Sequence, residues 1–297
     1  MTGCVLVTGA DGQVGSAVKN AASGHGHFIF LSKSELDITD PVAISHTLSE
    51  LSPSIVVNTA AFTNVDLAED SVDLVRLVNV TGPSLIAETC AKQGASLIHL
   101  SSDYVFGGGF ARPALEDDPC NPIGVYAQSK LDAELKIRQH LNAHIILRSS
   151  WIFSRTHSSF PRSILKVAAQ SGCVQVVDDQ IGNPTSAQGL AEAILALVGR
   201  INEGAEIWGT YHFAQQPVCS RFEWARAILL IASELDDRFL NVEVTPVSSS
   251  AFAARAFRPG DSSLCSERLL ALIPELQQDQ EWQADLNTAI QAILNSI

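Results

Sequence analysis

The run Cys4-Val5-Leu6-Val7-Thr8 is followed at once by Gly9-Ala10-Asp11-Gly12-Gln13-Val14-Gly15, and then by a helical pattern over residues 16–22. No other stretch constrains the fold as much. A short β-branched and apolar run without alternation reads as a strand buried on both faces, as in the middle of a parallel sheet. Glycines directly after such a strand permit a tight turn, bring backbone close to a diphosphate and let the next helix pack closely, while the helix start turns its N–H groups toward the anion. The spacing here is G-x-x-G-x-x-G rather than G-x-G-x-x-G, so the dinucleotide-site reading rests on the order strand, turn, helix and not on the glycines alone.

The alternation continues. Apolar runs at 28–32, 54–59, 96–101 and 144–149 read as four further strands, separated by helical patterns at 41–51, at 68–93 and around Tyr126. This predicts an α/β fold with a doubly wound parallel sheet of Rossmann type. Residues 1–150 are expected to form the dinucleotide-binding domain, with late strands and helices contributed from about 174–235. Residues 151–297 mix helices with short strands and lack the regular repeat, so a smaller, interleaved α/β domain for the substrate is expected there.

Composition excludes several functions. With 297 residues, 46% hydrophobic and 17% charged, the chain has ample material for a core and no signature of disorder. A net charge of −13 without clustered Lys and Arg argues against nucleic acid as a partner. Six scattered cysteines, with no Cys-x-x-Cys pair, fit a reducing compartment. Met1-Thr2-Gly3 runs into the first strand with no signal-peptide pattern, and no apolar run approaches a membrane span, so a cytoplasmic protein without a membrane partner is expected.

Tyr126 and Lys130 stand four residues apart and share a helix face. A lysine near a tyrosine favours the phenolate, drawing a pKa of about 10 toward neutral and making the phenol a usable proton donor or acceptor. The same spacing also describes an ordinary amphipathic pair. At the end of the second strand, Ser32 and Lys33 stand where NAD sites place an acidic residue; a hydroxyl and a cation suit a 2′-phosphate and favour NADPH over NADH. Asp40 or Thr39 is placed to cap a helix opened by Pro41.

The glycine turn, the serines ending the fourth strand and Tyr126-x-x-x-Lys130 together resemble an extended short-chain dehydrogenase/reductase. More narrowly, five blocks resemble the dTDP-4-dehydrorhamnose reductase family across nearly the whole chain: residues 57–69, Ser101-Ser102-Asp103-Tyr104-Val105-Phe106, Arg148-Ser149-Ser150-Trp151, Asp179-Gln180-Ile181-Gly182-Asn183-Pro184-Thr185 and Arg258-Pro259-Gly260-Asp261-Ser262. The resemblance implies NADPH-dependent reduction, with NADH as the alternative, of the 4-keto group of a dTDP-linked 6-deoxyhexose, giving dTDP-L-rhamnose for surface polysaccharide such as lipopolysaccharide.

Carried over by position, Tyr126 is the proton donor, Lys130 favours its ionised form and bonds the nicotinamide ribose, and Ser102, where the family usually has Thr, bonds the substrate oxygen. Ser101 is the alternative for that third role, since strand alternation points only one of the two serines into the site. Cofactor contacts would be Gly9, Gly12, Gln13, Val14 and Gly15 at the turn, Ser32 and Lys33 at the ribose, Asp37 and Ile38 near the adenine, and Ala61, Phe62 and Thr63 at the third strand end. Substrate contacts would be Ser102, Asp103, Trp151 and Arg258. Mg2+ is sometimes associated with the family, but no local carboxylate cluster names ligands for it; a homodimer is the implied assembly.

The chain departs from the family pattern at Ala127, usually Gly, at Gly124, usually Asn, and at Phe153, usually Tyr. These leave open a related hexulose, and two other readings share the fold: a nucleotide-sugar epimerase or other deoxysugar ketoreductase, and a nucleotide-binding regulatory subunit like that of methionine adenosyltransferase.

Overall fold

In the computed structural model, β1 (Val5–Thr8), β2 (Phe28–Leu31), β3 (Ile55–Asn58), β4 (Ser96–Ser102) and β5 (His144–Ser149) join one parallel sheet, with Gly209–His212 as a sixth strand beyond β5. Residues 3–297 are described, the side chain of Asp279 excepted; Met1 and Thr2, where the N-terminal run begins, lie outside them. The spatial order is Gly209–His212, β5, β4, β3, β1, β2. β2 and β3 pair with opposite edges of β1, so the chain reverses its winding there and leaves a crevice at the carboxyl ends of the strands.

Alternation along each strand sets the two layers. Val5, Val7, Ile55 and Val57 face the side covered by α1 (Gln13–Ala21) and the helix Ala187–Asn202, whereas Leu6, Val56 and Leu97 face α2 (Pro41–Leu51) and the helix Gly82–Gln93. All of these strand side chains are buried, and each contributes about 1.5–3 kcal/mol of hydrophobic stabilisation. Asp40 is the cap of α2: its carboxylate accepts from the N–H groups of Val42 and Ala43 at 2.8 and 3.2 Å.

The pattern over residues 68–93 is broken where its punctuation falls. Asn64 caps Val65–Asp70, Val72–Arg76 follows, and Leu77–Thr81 widens into a π-helical turn before Gly82–Gln93 resumes. The second half packs around Trp224. Helices Phe160–Ser171, Arg221–Leu235 and Trp282–Leu294 enclose it, and Cys173–Val177 pairs in parallel with Glu243–Val247 instead of joining the sheet. No helix among the described residues is long and apolar enough to cross a membrane.

Candidate active site

A cleft of about 780 Å³ opens between the carboxyl ends of β1, β3 and β4 on one side and Trp151 and Arg221 on the other. Gly9, Gly12, Gln13 and Val14 line its floor. Gly9 has φ +72°, and a Cβ there would lie 2.6 Å from the Ala60 N; a Cβ on Gly15 would lie 2.2 Å from the Gly9 carbonyl oxygen. The turn is therefore locked between β3 and α1. Gly15 shapes the turn from behind and does not line the cleft. At the start of α1, Gly12 provides no side-chain cap, so the helix presents free N–H groups to the cleft. Gln13 Oε1, buried beside them, has no hydrogen-bond partner. The uncapped helix start fits a dinucleotide diphosphate, whereas Gln13 Oε1, an acceptor, fits a donor such as a ribose hydroxyl.

Lys33, Asp37, Ile38, Ala61, Phe62 and Thr63 line the same cleft. Ser32 does not: its hydroxyl donates to Glu35 Oε2 at 2.6 Å and its N–H to the same oxygen at 2.8 Å. Asp37 accepts from the Thr39 N–H and hydroxyl at 2.9 and 2.7 Å, which hold its carboxyl below the ordinary range.

At the other end stand Tyr126 and Lys130, on the helix Val125–His140, and Ser102 at the tip of β4. The N-terminus of that helix receives the Glu69 carboxylate, which accepts the Val125 N–H at 2.9 Å; the positive-φ Gly124 leaves room for it. Asn79, in the π-helical turn, accepts the Phe62 N–H at 2.7 Å and donates to the Phe62 carbonyl and to Ser129 Oγ at 3.1 and 3.0 Å. Ser129 Oγ then donates to the Tyr126 carbonyl at 2.7 Å. One amide thus ties the end of β3 to the helix that carries the phenol.

The two candidate serines are separated by their partners. Ser101 Oγ donates to Glu134 at 2.6 Å, whereas Ser102 Oγ lies against the Tyr126 phenol, donates to Asp103 Oδ1 at 2.8 Å and accepts the Tyr104 N–H at 3.2 Å. Burial pushes the phenol well above its ordinary pKa, the Asp103 and Tyr104 charges add to the rise, and Ser102 offsets part of it. The lowering expected from Lys130 is absent, since Lys130 is not among the groups that shift the phenol. The Lys130 ammonium donates to the Leu100 carbonyl at 2.6 Å, and its burial brings its own pKa down to about 8, with Glu134 acting in the opposite direction. Tyr126 is accordingly a protonated phenol throughout the neutral range, the state required of a proton donor.

Asp103 and Trp151 line the cleft; Arg258 does not. The Arg258 guanidinium forms a two-pronged pair with Asp66, at 3.1 and 2.7 Å. Trp151 has φ +44°, a strained conformation for a bulky residue, and its ring lies so close to Gly182 that a Cβ there would come within 2.5 Å of it. Asn183 joins this region together: it donates to the Gln215 carbonyl at 3.0 Å, accepts the Leu264 N–H at 2.9 Å, and its carbonyl accepts Ser150 Oγ at 2.8 Å. Ala127, Phe153 and Gly124, the departures from the family pattern, do not line the cleft; Ala127 and Phe153 are core side chains.

Arg221, Tyr104 and Asn79 also belong to the site or its support, beyond the residues expected from the sequence. Tyr104 packs edge-on against Tyr126 with ring centroids 5.9 Å apart. Its place in the Ser101–Phe106 block was a usable signal. Arg221 carried none, since it opens a helix far along the chain, and only the fold brings it to Trp151. Among the described residues, no group of three or more His, Cys, Asp and Glu side chains could hold a metal ion, so Mg2+ is assigned no ligands.

The model of the family described as RmlD substrate binding domain matches residues 2–295. The chain belongs to that family. Within it, this chain is 38% identical over 300 residues to the dTDP-4-dehydrorhamnose reductase of Mycobacterium tuberculosis, covering 98% of this chain and 94% of that protein. A solved dTDP-4-dehydrorhamnose reductase from Clostridium acetobutylicum superposes with a TM-score of 0.89 at 30% identity, covering 98% of this chain and 99% of that one. The Bacillus anthracis dTDP-4-dehydrorhamnose reductase, solved in complex with NADP, superposes with a TM-score of 0.86 at 28% identity over 100% of both chains. The RmlD substrate binding domain match covers both cleft walls, the glycine turn as well as the Trp151 and Arg221 side.

Proposed function

We propose that this chain reduces the 4-keto group of a dTDP-linked 6-deoxyhexose with NADPH, giving dTDP-L-rhamnose for surface polysaccharide. The observation that carries this is the convergence of a protonated Tyr126, Ser102 and the Lys130 ammonium at one end of a cleft whose other end is an uncapped helix start. The relatives named for this reaction, one of them solved with NADP, support the choice of substrate class and cofactor.

Bound NADPH would supply hydride to the carbonyl carbon. Gly12, Gln13 and Val14 would hold its diphosphate, and Asp37, Ile38, Ala61, Phe62 and Thr63 its adenosine and ribose portions, as lining residues of the cleft. Ser102 orients the substrate oxygen and Tyr126 gives it a proton as negative charge develops there. Lys130 contributes a positive charge that grows in value as the phenol loses its proton. Asp103 and Trp151 shape the sugar site, and Trp151 is held in place by Gly182. Arg258 fixes Asp66 and the rim, and would need to release that carboxylate to touch substrate. A cytoplasmic homodimer is the assembly proposed from the resemblance.

The test is oxidation of NADPH by purified protein supplied with dTDP-4-dehydrorhamnose. Turnover that requires added NADPH and yields dTDP-rhamnose is expected. Turnover without added cofactor would point instead to an epimerase with retained NAD, and cofactor binding without reduction would point to a regulatory subunit.

A further inference from the structure

Arg221 is the unexplained group of the cleft. It opens the helix Arg221–Leu235, lines the cleft, and makes no ion pair or side-chain hydrogen bond among the described residues. Its guanidinium lies flat on the Trp151 ring at 3.6 Å from the centroid, with Phe160 at 4.9 Å and Trp224 at 5.4 Å. Stacking uses the faces of the guanidinium and leaves its N–H edge unsatisfied. An arginine is otherwise placed nearby with a full complement: Arg258, whose two-pronged pair with Asp66 occupies the edge that Arg221 leaves open. The helix beginning at Arg221 also has its own cap, Ser220, so the guanidinium is not needed there.

The groups around it restrict what it can bind. Asp103 and Tyr104 face it from just beyond β4, Arg258 from the rim and Cys219 from the preceding strand. Asp103 is near enough to interact through space but forms no ion pair with it, and Asp103 Oδ2 is itself buried without a partner. The unsatisfied edge thus lies beside Trp151 and Asp103, the residues assigned to the substrate end of the cleft.

We propose that Arg221, held rigid by Trp151, Phe160 and Trp224, binds the diphosphate oxygens of the nucleotide-linked sugar, a contact made at the Trp151 wall and independent of Arg258. The assignment rests on the function proposed above. A planar fork of donors suits a diphosphate. Half-buried among three rings, it gains more from an anion than an exposed lysine would.

The experiment titrates dTDP and, separately, thymidine into protein already saturated with NADPH, for wild type, Arg221→Met and Arg221→Lys, with NADPH affinity measured on each. Arg221→Met should lose about 10- to 100-fold in dTDP affinity, as expected for charge-assisted hydrogen bonds, while thymidine and NADPH affinities stay within twofold of wild type. Arg221→Lys should fall between the two, keeping the charge and losing the stacked fork. A merely structural arginine would lower dTDP and thymidine binding alike, and that result overturns the assignment. So does an Arg221→Met protein that binds dTDP as wild type does. Should Arg221→Met fail to bind NADPH and prove misfolded, the Arg221→Lys ratio of dTDP to thymidine affinity decides: reduced supports the assignment, unchanged overturns it. A wild-type protein that binds NADPH but no dTDP overturns the proposed function and this assignment together, which separates that failure from the loss of Arg221 alone.

Discussion

Behind the sheet-side wall of the cleft, Arg148 is fully buried, and its guanidinium meets Glu134 through two bonds of 2.9 and 2.7 Å. Glu134 also accepts from Ser101 and from Arg138 at 2.6 and 2.9 Å. On the opposite wall, Arg221 has three aromatic rings and no carboxylate. The same contrast runs through the neutral groups. Thr8 Oγ1 donates to Asn58 Oδ1 at 2.8 Å, and Asn58 Nδ2 bonds His99 Nδ1 at 3.1 Å, across three neighbouring strands, and only His99 Nε2 at the end of that chain is left without a partner. Facing the cleft, Gln13 Oε1, Asp103 Oδ2 and Ser149 Oγ are buried without partners. Unsatisfied buried polar groups cost stability, and a network with all its members bonded resists displacement. The Glu134–Arg148 pair therefore positions, whereas the unpartnered groups that line the cleft are placed to meet a ligand.

Substitutions should separate those two tasks. The largest effect is expected for Tyr126→Phe, which removes the proposed proton donor and should lower turnover by about 10²–10⁴-fold. NADPH affinity, measured by fluorescence titration, should stay near wild type. Turnover at wild-type level in this variant would remove Tyr126 from the chemistry.

Glu134→Ala tests the positioning side. It leaves Arg148 buried without its counter-ion, and losing one partner of such a pair costs about 3–5 kcal/mol. Arg221→Met strands no charge, and removing its ring contacts should cost no more than about 2 kcal/mol. Urea unfolding of the two variants checks the ranking; a larger loss at Arg221 would make it a structural group and erase the contrast between the walls.

Much of this was legible beforehand. β1 and its glycine turn, the parallel alternation and the Tyr126 and Lys130 pair all follow from local pattern, because a strand buried on both faces and an i,i+4 helix pair leave short-range signatures. The π-helical turn at Leu77–Thr81 left only its punctuation, since its geometry is set by the long-range bonds of Asn79 to Phe62 and Ser129. Arg221 was illegible for the same reason: its role depends on Trp151, which reaches it only after the second half has packed around Trp224. The Tyr126 pKa is not legible from spacing, which reports proximity along a helix and not burial, and here burial is the largest influence on it.

Asp103→Asn probes the unsatisfied wall through pH. Burial raises the Asp103 carboxyl to about 6, from an ordinary value of 3.8. The folded protein thus binds more protons than the unfolded chain between those values, so stability falls as pH rises through that window and the cost persists at neutral pH. Asparagine removes the charge and should stabilise by on the order of 1–3 kcal/mol at pH 7.5, less whatever its unpartnered N–H groups cost. The gain should shrink at pH 4.5. Equal gains at both values, by thermal unfolding, would mean that Asp103 carries no desolvation cost and that its wall is already satisfied.

The smallest effect is expected at the end of the cleft proposed for the adenosine, where the two kinds of wall meet. Lys33 is exposed and lines the cleft, whereas the neighbouring Ser32 hydroxyl is taken up by Glu35. Those bonds from Ser32 hold the Glu35 carboxyl below the ordinary range, so it is ionised at neutral pH and opposes any 2′-phosphate that Lys33 attracts. Exposed single charges contribute little, so Lys33→Ala should weaken NADPH binding by up to about fivefold and leave NADH unchanged. Glu35→Gln should act in the opposite sense, tightening NADPH more than NADH. Binding titrations at low and moderate salt check both, because screening should shrink each effect. Equal losses for the two cofactors in Lys33→Ala would place the 2′-phosphate elsewhere. If Glu35→Gln instead weakened NADH alone, the carboxylate would be acting as the ribose-binding acid displaced by three residues from Ser32, and the preference for NADPH would rest on Lys33 against it.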